Sequence, residues 1–329
     1  MYVITGGAGF IGSNIAATLD RAGEDIVIVD WLGSDGVKWR NIAKRRLADL
    51  VVPEEFPAFL ASNAEKIRAV VHMGAISTTT ETDVDAIVRN NFRLSVDLWR
   101  FCARAQIPLV YASSAATYGD GSEGFVDRFD DEYFDALRPL NPYGWSKHVF
   151  DRFALRSVKG AEPAPPRWFG LKFFNVYGPN EYHKGGQRSV AVQLHAQIRE
   201  RGGVRLFRSD NPAYADGGQL RDFVWVEDCV NVALWALKEA SAPSGLYNVG
   251  SGAARSFLDK AKIIFRELNV EPNVEFIDLP GNLAGKYQYY TCASLEKLRT
   301  AGYARPMTSL EEGLRAYVHR YLETSDAFC

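Results

Sequence analysis

The sequence predicts an α/β protein with a doubly wound parallel sheet, followed by a smaller, mostly C-terminal α/β domain. Three observations support this fold class. A short apolar strand at 2–5 leads into the glycine-rich turn GGAGFIG and then a helical pattern at 13–22. Apolar runs typical of buried strands alternate with amphipathic helical segments through the first half of the chain. The length of 329 residues suits one large domain or two smaller ones.

The glycine-rich turn lies between a strand and a helix, which is the context that a dinucleotide-binding fingerprint requires. We expect Gly6 to allow the tight turn, Gly9 to let a pyrophosphate approach, and Gly12 to let the helix pack on the strand. Free N–H groups at the helix start would then face the phosphates. Asp30 ends a second strand at 25–30. These features predict a Rossmann-type sheet that binds NAD or NADP.

The choice between these two cofactors stays open. An acid at the end of the second strand usually accepts hydrogen bonds from the adenosine ribose, which favours NAD. Lys38 is close enough in sequence to reach a 2′-phosphate instead.

The remaining elements follow in order along the chain. We expect strands at 47–50, 69–72, 108–112 and 168–174, and helices at 53–66, 85–106, 189–201, 257–268 and 309–321. Residues 1–170 would form the dinucleotide-binding domain, with returning strands near 171–178 and 220–250. Residues 179–329 would form mainly the substrate domain.

A tyrosine and a lysine at helical spacing suggest acid/base chemistry. Tyr143 and Lys147 are four residues apart at the start of a predicted helix, so they share one face. A tyrosine with its ordinary pKa near 10 is a poor base at neutral pH. The Lys147 cation and a positively charged nicotinamide would lower the pKa of Tyr143. Ser114 stands at the end of the preceding strand and adds a hydroxyl.

Composition excludes several other classes of protein. A net charge of −2 and a pI near 6.3 give no basic surface for nucleic acid or an anionic membrane. No apolar run approaches the roughly 20 residues of a membrane span. The four cysteines lack metal-binding spacing, and His72 on an apolar strand is expected to be a packed core histidine. We therefore expect no bound metal, no signal peptide and a cytoplasmic location.

Four segments together resemble the extended short-chain dehydrogenase/reductase superfamily: TGGAGFIG, SSAATYG, the Tyr143/Lys147 pair and FNVYGP at 174–179. Within it, the chain is similar nearly end to end to the ADP-L-glycero-D-manno-heptose 6-epimerases. The most specific segments lie at 111–119, 181–185, 221–224 and 285–288. The resemblance implies epimerisation of an ADP-heptose at C6″ through a transient ketone, with tightly bound NADP. The resemblance also implies a homo-oligomer, because members of this family form homopentamers.

The same resemblance implies roles for individual residues. The acid/base residues would be Tyr143 and Lys184, helped by Ser114 and Lys147. The cofactor would contact Gly6, Gly9, Phe10, Ile11, Gly12, Asp30, Trp31, Lys38, Met73, Gly74, Ala75, Ile76, Ser77, Asn90, Lys147, Val176 and Lys184. The substrate would contact Asn175, Gly186, Gln193, Phe207, Arg208, Ser209, Asp210, Arg221 and Tyr287.

The chain departs from this pattern at three places. A lysine that helps to hold the cofactor phosphate in relatives aligns near Pro53, and the aromatic Trp31 replaces a polar residue. Between Ser209 and Arg221 the chain is longer than its relatives, with a turn-rich loop at 210–220.

Two other classes of function are left open by the sequence. The first is a UDP-hexose 4-epimerase or a nucleotide-sugar dehydratase, although a dehydratase normally has an acidic pair where this chain has Ser113-Ser114-Ala115-Ala116. The second is a cofactor-sensing regulator, which would typically have lost Tyr143 or Lys147.

Overall fold

The computed structural model describes residues 1–34, 36–280 and 288–329. Its strands are β1 (Tyr2–Thr5), β2 (Ile26–Val29), β3 (Asp49–Val51), β4 (Ala69–His72), β5 (Leu109–Ser114), β6 (Trp168–Phe173), β7 (Asn175–Tyr177), β8 (Val204–Phe207), β9 (Leu220–Trp225), β10 (Gly245–Val249), β11 (Ala254–Ser256) and β12 (Val274–Ile277). Its α-helices are α1 (Phe10–Arg21), α2 (Phe56–Asn63), α3 (Val84–Ile87), α4 (Leu94–Ala105), α5 (Asp131–Ala136), α6 (Pro142–Arg156), α7 (Val190–Arg201), α8 (Val226–Lys238), α9 (Phe257–Glu267), α10 (Glu296–Thr300) and α11 (Leu310–Tyr317).

The largest sheet of the described chain has seven strands, all paired in parallel, in the order β10-β6-β5-β4-β1-β2-β3. Every residue of β1, β2 and β4 is buried, as expected for a parallel sheet covered on both faces. Strand order reverses between β1 and β4, so the loops after these two strands open into the crevice where such sheets bind ligands. The predicted doubly wound fold is confirmed. Of the strands expected to return near 171–178 and 220–250, β10 joins the main sheet, whereas β7 and β9 pair in a separate sheet.

Two smaller sheets lie in the second half of the described chain. One has the order β11-β9-β7, and β8 pairs with β12 in the other. With α7, α9 and α11 they enclose a second apolar cluster, which includes Tyr177, Phe223, Trp225 and Tyr317. Because β7 begins two residues after β6 ends, this second cluster lies next to the edge of the main sheet where the crevice opens.

The helix expected at 85–106 contains a wider turn than a regular α-helix. Helix α3 continues through a π-helical turn at Val88–Arg93 into α4. This turn presents Asn91 to the loop after β4, where its side chain bonds both backbone groups of Ile76 at 2.8 and 2.9 Å. The segment expected as a helix at 53–66 is α2 followed by a short 3-10 turn. Within the described residues, no helix is long and apolar enough to cross a membrane.

Candidate active site

A cavity of about 920 Å³ opens at the carboxyl ends of β1, β4, β5 and β6. Its wall combines the turn after β1, the loop after β4, the start of α6 and the segment at 181–190. Twenty predicted site residues line it: Gly6, Gly9, Phe10, Ile11, Gly12, Asp30, Trp31, Lys38, Met73, Gly74, Ala75, Ile76, Ser77, Asn90, Ser114, Tyr143, Lys147, Asn175, Val176 and Lys184.

The glycine-rich turn forms a backbone cradle that larger residues would fill. Gly6 has a φ of +63°, and a Cβ there would lie 2.5 Å from the Gly74 nitrogen. A Cβ on Gly12 would lie 2.3 Å from the Gly6 carbonyl oxygen, so the helix packs on the turn only without a side chain. Helix α1 begins beside this turn with no acidic residue in its first turn. The cradle therefore fits the pyrophosphate of a dinucleotide.

Asp30 and Lys38 meet at the end of the cavity where an adenosine ribose would lie. Asp30 accepts a hydrogen bond from the Ala8 nitrogen at 3.0 Å, and its other oxygen lies 2.6 Å from Lys38 Nζ. Trp31 is half exposed, and its indole nitrogen donates to Glu54, which also lines the cavity. This end of the cavity thus carries two carboxylates and one ammonium.

Tyr143 and Lys147 occupy the first turns of α6, which is capped by the Asn141 side chain. Burial lowers the pKa of Lys147 to about 8, and the nearby Asp151 opposes that change. Burial also raises the pKa of Tyr143, while a hydrogen bond with Ser114 acts in the opposite direction. The expected lowering of this pKa depended on Lys147 together with a positively charged nicotinamide, and the chain by itself gives a raised pKa. Desolvation of the phenolate outweighs the help from its neighbours.

A buried ion pair supports this helix from below. Lys172 Nζ lies 2.7 Å from Asp151, and both side chains are fully buried. Asp151 also accepts hydrogen bonds from Tyr111 and Ser113 on β5. Because Asp151 is one turn after Lys147, this network fixes α6 against β5 and β6 beneath the cavity.

His72 lies under the loop after β4 and is a packed core histidine, as expected. Its ring nitrogens lie 2.6 Å from Thr5 Oγ1 and 2.9 Å from Ser95 Oγ. Burial lowers the pKa of His72 to about 3, and the positive charge of Lys147 acts in the same direction. The described residues contain no cluster of histidine, cysteine and acidic side chains that could hold a metal ion.

Lys184 reaches the cavity from the short 3-10 turn at Tyr182–Gln187. Its Nζ lies 5.8 Å from the centroid of the Phe10 ring, at the start of α1. Burial lowers the pKa of Lys184, and the negative charge of Glu181 opposes this. The structure therefore brings Tyr143, Ser114, Lys147 and Lys184 to the wall of one cavity.

The predicted substrate residues divide into three groups. Asn175 lines the cavity, whereas Gly186, Gln193, Phe207, Arg208, Ser209, Asp210 and Arg221 are not among its described lining residues. Gln193 donates to backbone carbonyls at 186 and 188, and the Arg221 guanidinium lies 5.7 Å from the Phe257 ring. Tyr287 lies outside the described residues.

Comparison with known proteins gives this site a family. The chain matches the model of the NAD dependent epimerase/dehydratase family over residues 2–250. It is 48% identical to an ADP-L-glycero-D-manno-heptose-6-epimerase of Nitratidesulfovibrio vulgaris (strain DP4) and 45% identical to one of Fusobacterium nucleatum, with both chains of each pair covered completely. The chain belongs to the NAD dependent epimerase/dehydratase family and, within it, to the ADP-L-glycero-D-manno-heptose-6-epimerases.

A crystal structure of the Helicobacter pylori enzyme of that name agrees. It is 28% identical, has a TM-score of 0.78, and the match covers 97% of this chain and 95% of that one. The resemblance inferred from the motifs is thus confirmed. The comparison establishes the family of the chain. It does not establish the role of each residue, because the roles of Tyr143 and Lys184 depend on how a ligand lies between them.

The segment that is longer than in the resembling family packs between β8 and α9. Asp216 accepts a hydrogen bond from the Ser209 nitrogen, and the Leu258 nitrogen donates to the Gly217 carbonyl. The rings of Tyr214 and Tyr289 lie 5.1 Å apart. The loop is therefore closed by the Ser209–Asp216 hydrogen bond and tied to α9 at Gly217.

The cavity wall also contains charged residues that the family motifs did not select as site residues, among them Glu54, Glu181 and Lys260. Glu181 lies in the family motif at 181–185, but only the tertiary fold brings its carboxylate to the Tyr317 hydroxyl. Lys260 carries a sequence signal that could have been used. It interrupts the apolar stripe of α9 formed by Phe257, Ala261 and Ile264, where a charged residue is unusual.

Proposed function

We propose that this protein epimerises ADP-D-glycero-D-manno-heptose to ADP-L-glycero-D-manno-heptose at C6″, through a transient keto sugar. The observation that carries the proposal is the placement of two acid/base candidates, Tyr143 and Lys184, on the wall of the cavity that also contains the glycine cradle. Full-length relatives with that name at 45–48% identity support the choice of substrate.

The cradle fits a nicotinamide dinucleotide, held by the backbone at Gly9 to Gly12 and by Asp30 and Lys38 at the adenosine end. When bound, this group would supply reversible hydride transfer at C6″ and a positive charge in the cavity. Lys147 would hold the nicotinamide ribose, and Ser114 would orient the reacting oxygen through its hydrogen bond with Tyr143.

The two acid/base residues carry out the proton transfers. One of Tyr143 and Lys184 takes the proton from the C6″ hydroxyl as the ketone forms, and the other supplies a proton when hydride returns to the opposite face. Burial lowers the pKa of Lys184, which suits a residue that gives and takes protons near neutral pH. C6″ is exocyclic, so a small rotation presents either face and the sugar ring need not turn over.

We further propose that the bound dinucleotide is NADP, with Lys38 as the contact for its 2′-phosphate. Lys38 lines the cavity beside Asp30, and a lysine at this position has the charge that a phosphate requires. NAD is the second possibility, because Asp30 and Glu54 place two negative charges at the same end.

The alternative of a UDP-hexose 4-epimerase is not favoured. Relatives at 42–48% identity are named heptose epimerases, whereas two structurally similar UDP-glucose 4-epimerases are 21% and 24% identical and support only the fold. Lys184 also gives the site a second base, which a single-tyrosine mechanism does not need.

The decisive experiment incubates the purified protein with ADP-D-glycero-D-manno-heptose and no added cofactor, followed by chromatography and NMR of the sugar. We expect conversion to the L-glycero epimer without accumulation of reduced nicotinamide at 340 nm. Parallel incubations with UDP-glucose and UDP-galactose should give no product. Stoichiometric reduction of the cofactor with release of a keto sugar would mean a dehydrogenase instead.

The family resemblance also supports a homo-oligomer, for which we propose a pentamer. Light scattering coupled to size-exclusion chromatography measures the mass directly. A mass equal to the 36.6 kDa of one chain would contradict this part of the proposal.

A further inference from the structure

Lys260 is a buried cation in the cavity wall that the acid/base chemistry does not use. It lies on α9, its side chain is 1% exposed, and its Nζ lies 3.4 Å from the centroid of the Phe223 ring and 4.9 Å from that of Tyr177. Among the described residues, this ammonium has no hydrogen-bond acceptor and no carboxylate at ion-pair distance. Its Nζ lies over the faces of Phe223 and Tyr177 instead.

An ammonium in this position is costly to the fold. Removing a charged group from water costs several kcal/mol unless another group compensates it. Cation–π contacts return roughly 0.5–2 kcal/mol. Burial accordingly lowers the pKa of Lys260 to about 7, and the field of Glu181 acts in the opposite direction. The contacts within the protein therefore leave part of this cost uncompensated.

Glu181 does not bind Lys260 directly, because its oxygens are already engaged. They accept hydrogen bonds from the backbone and hydroxyl of Ser189, from the Gly178 nitrogen at 3.2 Å and from the Tyr317 hydroxyl at 2.9 Å. The carboxylate thus offsets the charge of Lys260 at a distance. It does not satisfy the hydrogen-bonding capacity of the ammonium.

The surroundings of Lys260 contain polar groups that point to an anionic ligand. Asn175 on β7 lies opposite Phe223 on β9, and both line the cavity. Arg221 is two residues before Phe223 on the same strand, so its side chain shares that face. The Arg221 guanidinium lies 5.7 Å from Phe257, and the rings of Phe223 and Phe257 are 5.5 Å apart. Two cations and one amide therefore flank a single aromatic pair.

We propose that Lys260 binds the diphosphate of the nucleotide sugar, beside Asn175 and on the same aromatic pair as Arg221. The inference rests on the proposed function. The diphosphate is the anionic part of such a substrate, and only an anion supplies enough interaction energy to compensate a buried ammonium. The sugar and ribose hydroxyls are neutral and would leave the charge of Lys260 unmatched.

The test is calorimetric titration with ADP of protein whose dinucleotide site is saturated with NADP. Lys260→Met replaces the ammonium by an apolar group that fits between aromatic rings. Lys262→Met, an exposed position on the same helix, is the matched control. We expect Lys260→Met to weaken ADP binding roughly ten- to a hundredfold, which corresponds to about 1.4–2.8 kcal/mol. Lys262→Met and the NADP affinity of both variants should match the wild type.

Steady-state kinetics with ADP-heptose separates binding from chemistry. Lys260→Met should raise KM by a similar factor and leave kcat within about threefold, since the residue acts on a remote part of the substrate. A change in kcat alone would overturn the proposal. Lys260→Gln, which keeps a polar tip without the charge, should show the same loss and serves if the methionine variant does not fold.

The outcomes distinguish this inference from the proposed function. ADP affinity unchanged in Lys260→Met, with clear binding to the wild type, would overturn the role of Lys260 alone. Equal loss of ADP and NADP binding would show a structural role and would also overturn it. A wild-type protein that binds NADP but not ADP would contradict the nucleotide-sugar site itself.

Discussion

Lys38 Nζ lies 2.6 Å from the Asp30 carboxylate at the adenosine end of the cavity, and it also donates to the Trp31 carbonyl at 2.7 Å. Two acceptors, the Asp30 carboxylate and the Trp31 carbonyl, thus hold the lysine at the end of the cavity where the ribose would lie, without help from a phosphate. Its charge is partly matched by Asp30, so a 2′-phosphate would compete with that carboxylate for the same ammonium. The preference for NADP over NAD therefore depends on how strongly Lys38 binds a 2′-phosphate compared with the Asp30 carboxylate.

Lys38→Ala should weaken NADP binding far more than NAD binding. A charge-assisted contact is worth about 1.5–3 kcal/mol, so a loss of roughly ten- to a hundredfold is expected for NADP. Binding is measured by calorimetry on protein stripped of nucleotide, with the exposed Lys66→Ala as the control. Equal losses for the two dinucleotides would mean that Lys38 does not contact the phosphate.

Glu54→Lys should shift the preference further towards NADP. Glu54 lines the cavity and accepts from the Trp31 indole, so its charge lies where a 2′-phosphate would be repelled. Reversing that charge should tighten NADP roughly tenfold relative to NAD, or about 1.4 kcal/mol. Glu55→Lys makes the same charge change at the next residue, which is exposed and outside the cavity lining, and should leave the ratio unaltered.

Local sequence accounts for the parts of the site that are built from neighbours in the chain. The glycine cradle is a strand, a turn and a helix start, and the Tyr143/Lys147 pair is one helix turn. Both depend on backbone geometry that a few adjacent residues determine. For the same reason the main strands and the doubly wound fold class could be predicted from alternating apolar and amphipathic segments.

Interactions between distant segments could not be predicted in this way. Glu181 accepts a hydrogen bond from Tyr317, 136 residues away, and Lys260 contacts Phe223 and Tyr177 only when α9 packs on the β11-β9-β7 sheet. The raised pKa of Tyr143 has the same origin, because desolvation depends on what the fold places around the ring. The spacing of residues in the sequence can select such side chains as candidates, but it does not show which groups the fold places around them.

His72 should make the fold sensitive to acid. Its folded-state pKa is about 3 and its ordinary value is 6.5, so between these values the unfolded chain binds more protons. Stability therefore falls as pH falls through this window. Between about pH 7.5 and about pH 5, the wild type should lose about 2 kcal/mol of unfolding free energy more than His72→Gln loses.

Urea unfolding at the two pH values measures this difference. His319→Gln removes an exposed histidine and should follow the wild type. If His72→Gln also follows the wild type, the protonated imidazole is accommodated in the fold and the assignment of the pKa is wrong.

Tyr143→Phe and Lys184→Met test the two-base mechanism. Epimerisation needs a proton handled on each face of the ketone, and the structure places one candidate on α6 and the other on the 181–190 segment. Each variant should slow epimerisation by about 10²–10⁴-fold, or roughly 3–5 kcal/mol of transition-state stabilisation. Both should retain dinucleotide binding and the wild-type unfolding transition, measured by calorimetry and circular dichroism.

An ADP-sugar analogue with an aldehyde at C6″ separates the two half-reactions, because dismutation oxidises one molecule and reduces another. If each residue serves one face of the ketone, the ratio of the dismutation rate to the epimerisation rate should differ between Tyr143→Phe and Lys184→Met. Arg188→Met, at another cavity-lining cation four residues on, controls for the loss of positive charge near the site. Epimerisation by Lys184→Met at close to the wild-type rate would contradict the second base. A single tyrosine would then have to serve both faces, which requires the reacting oxygen to stay beside Tyr143 while the rest of the sugar turns.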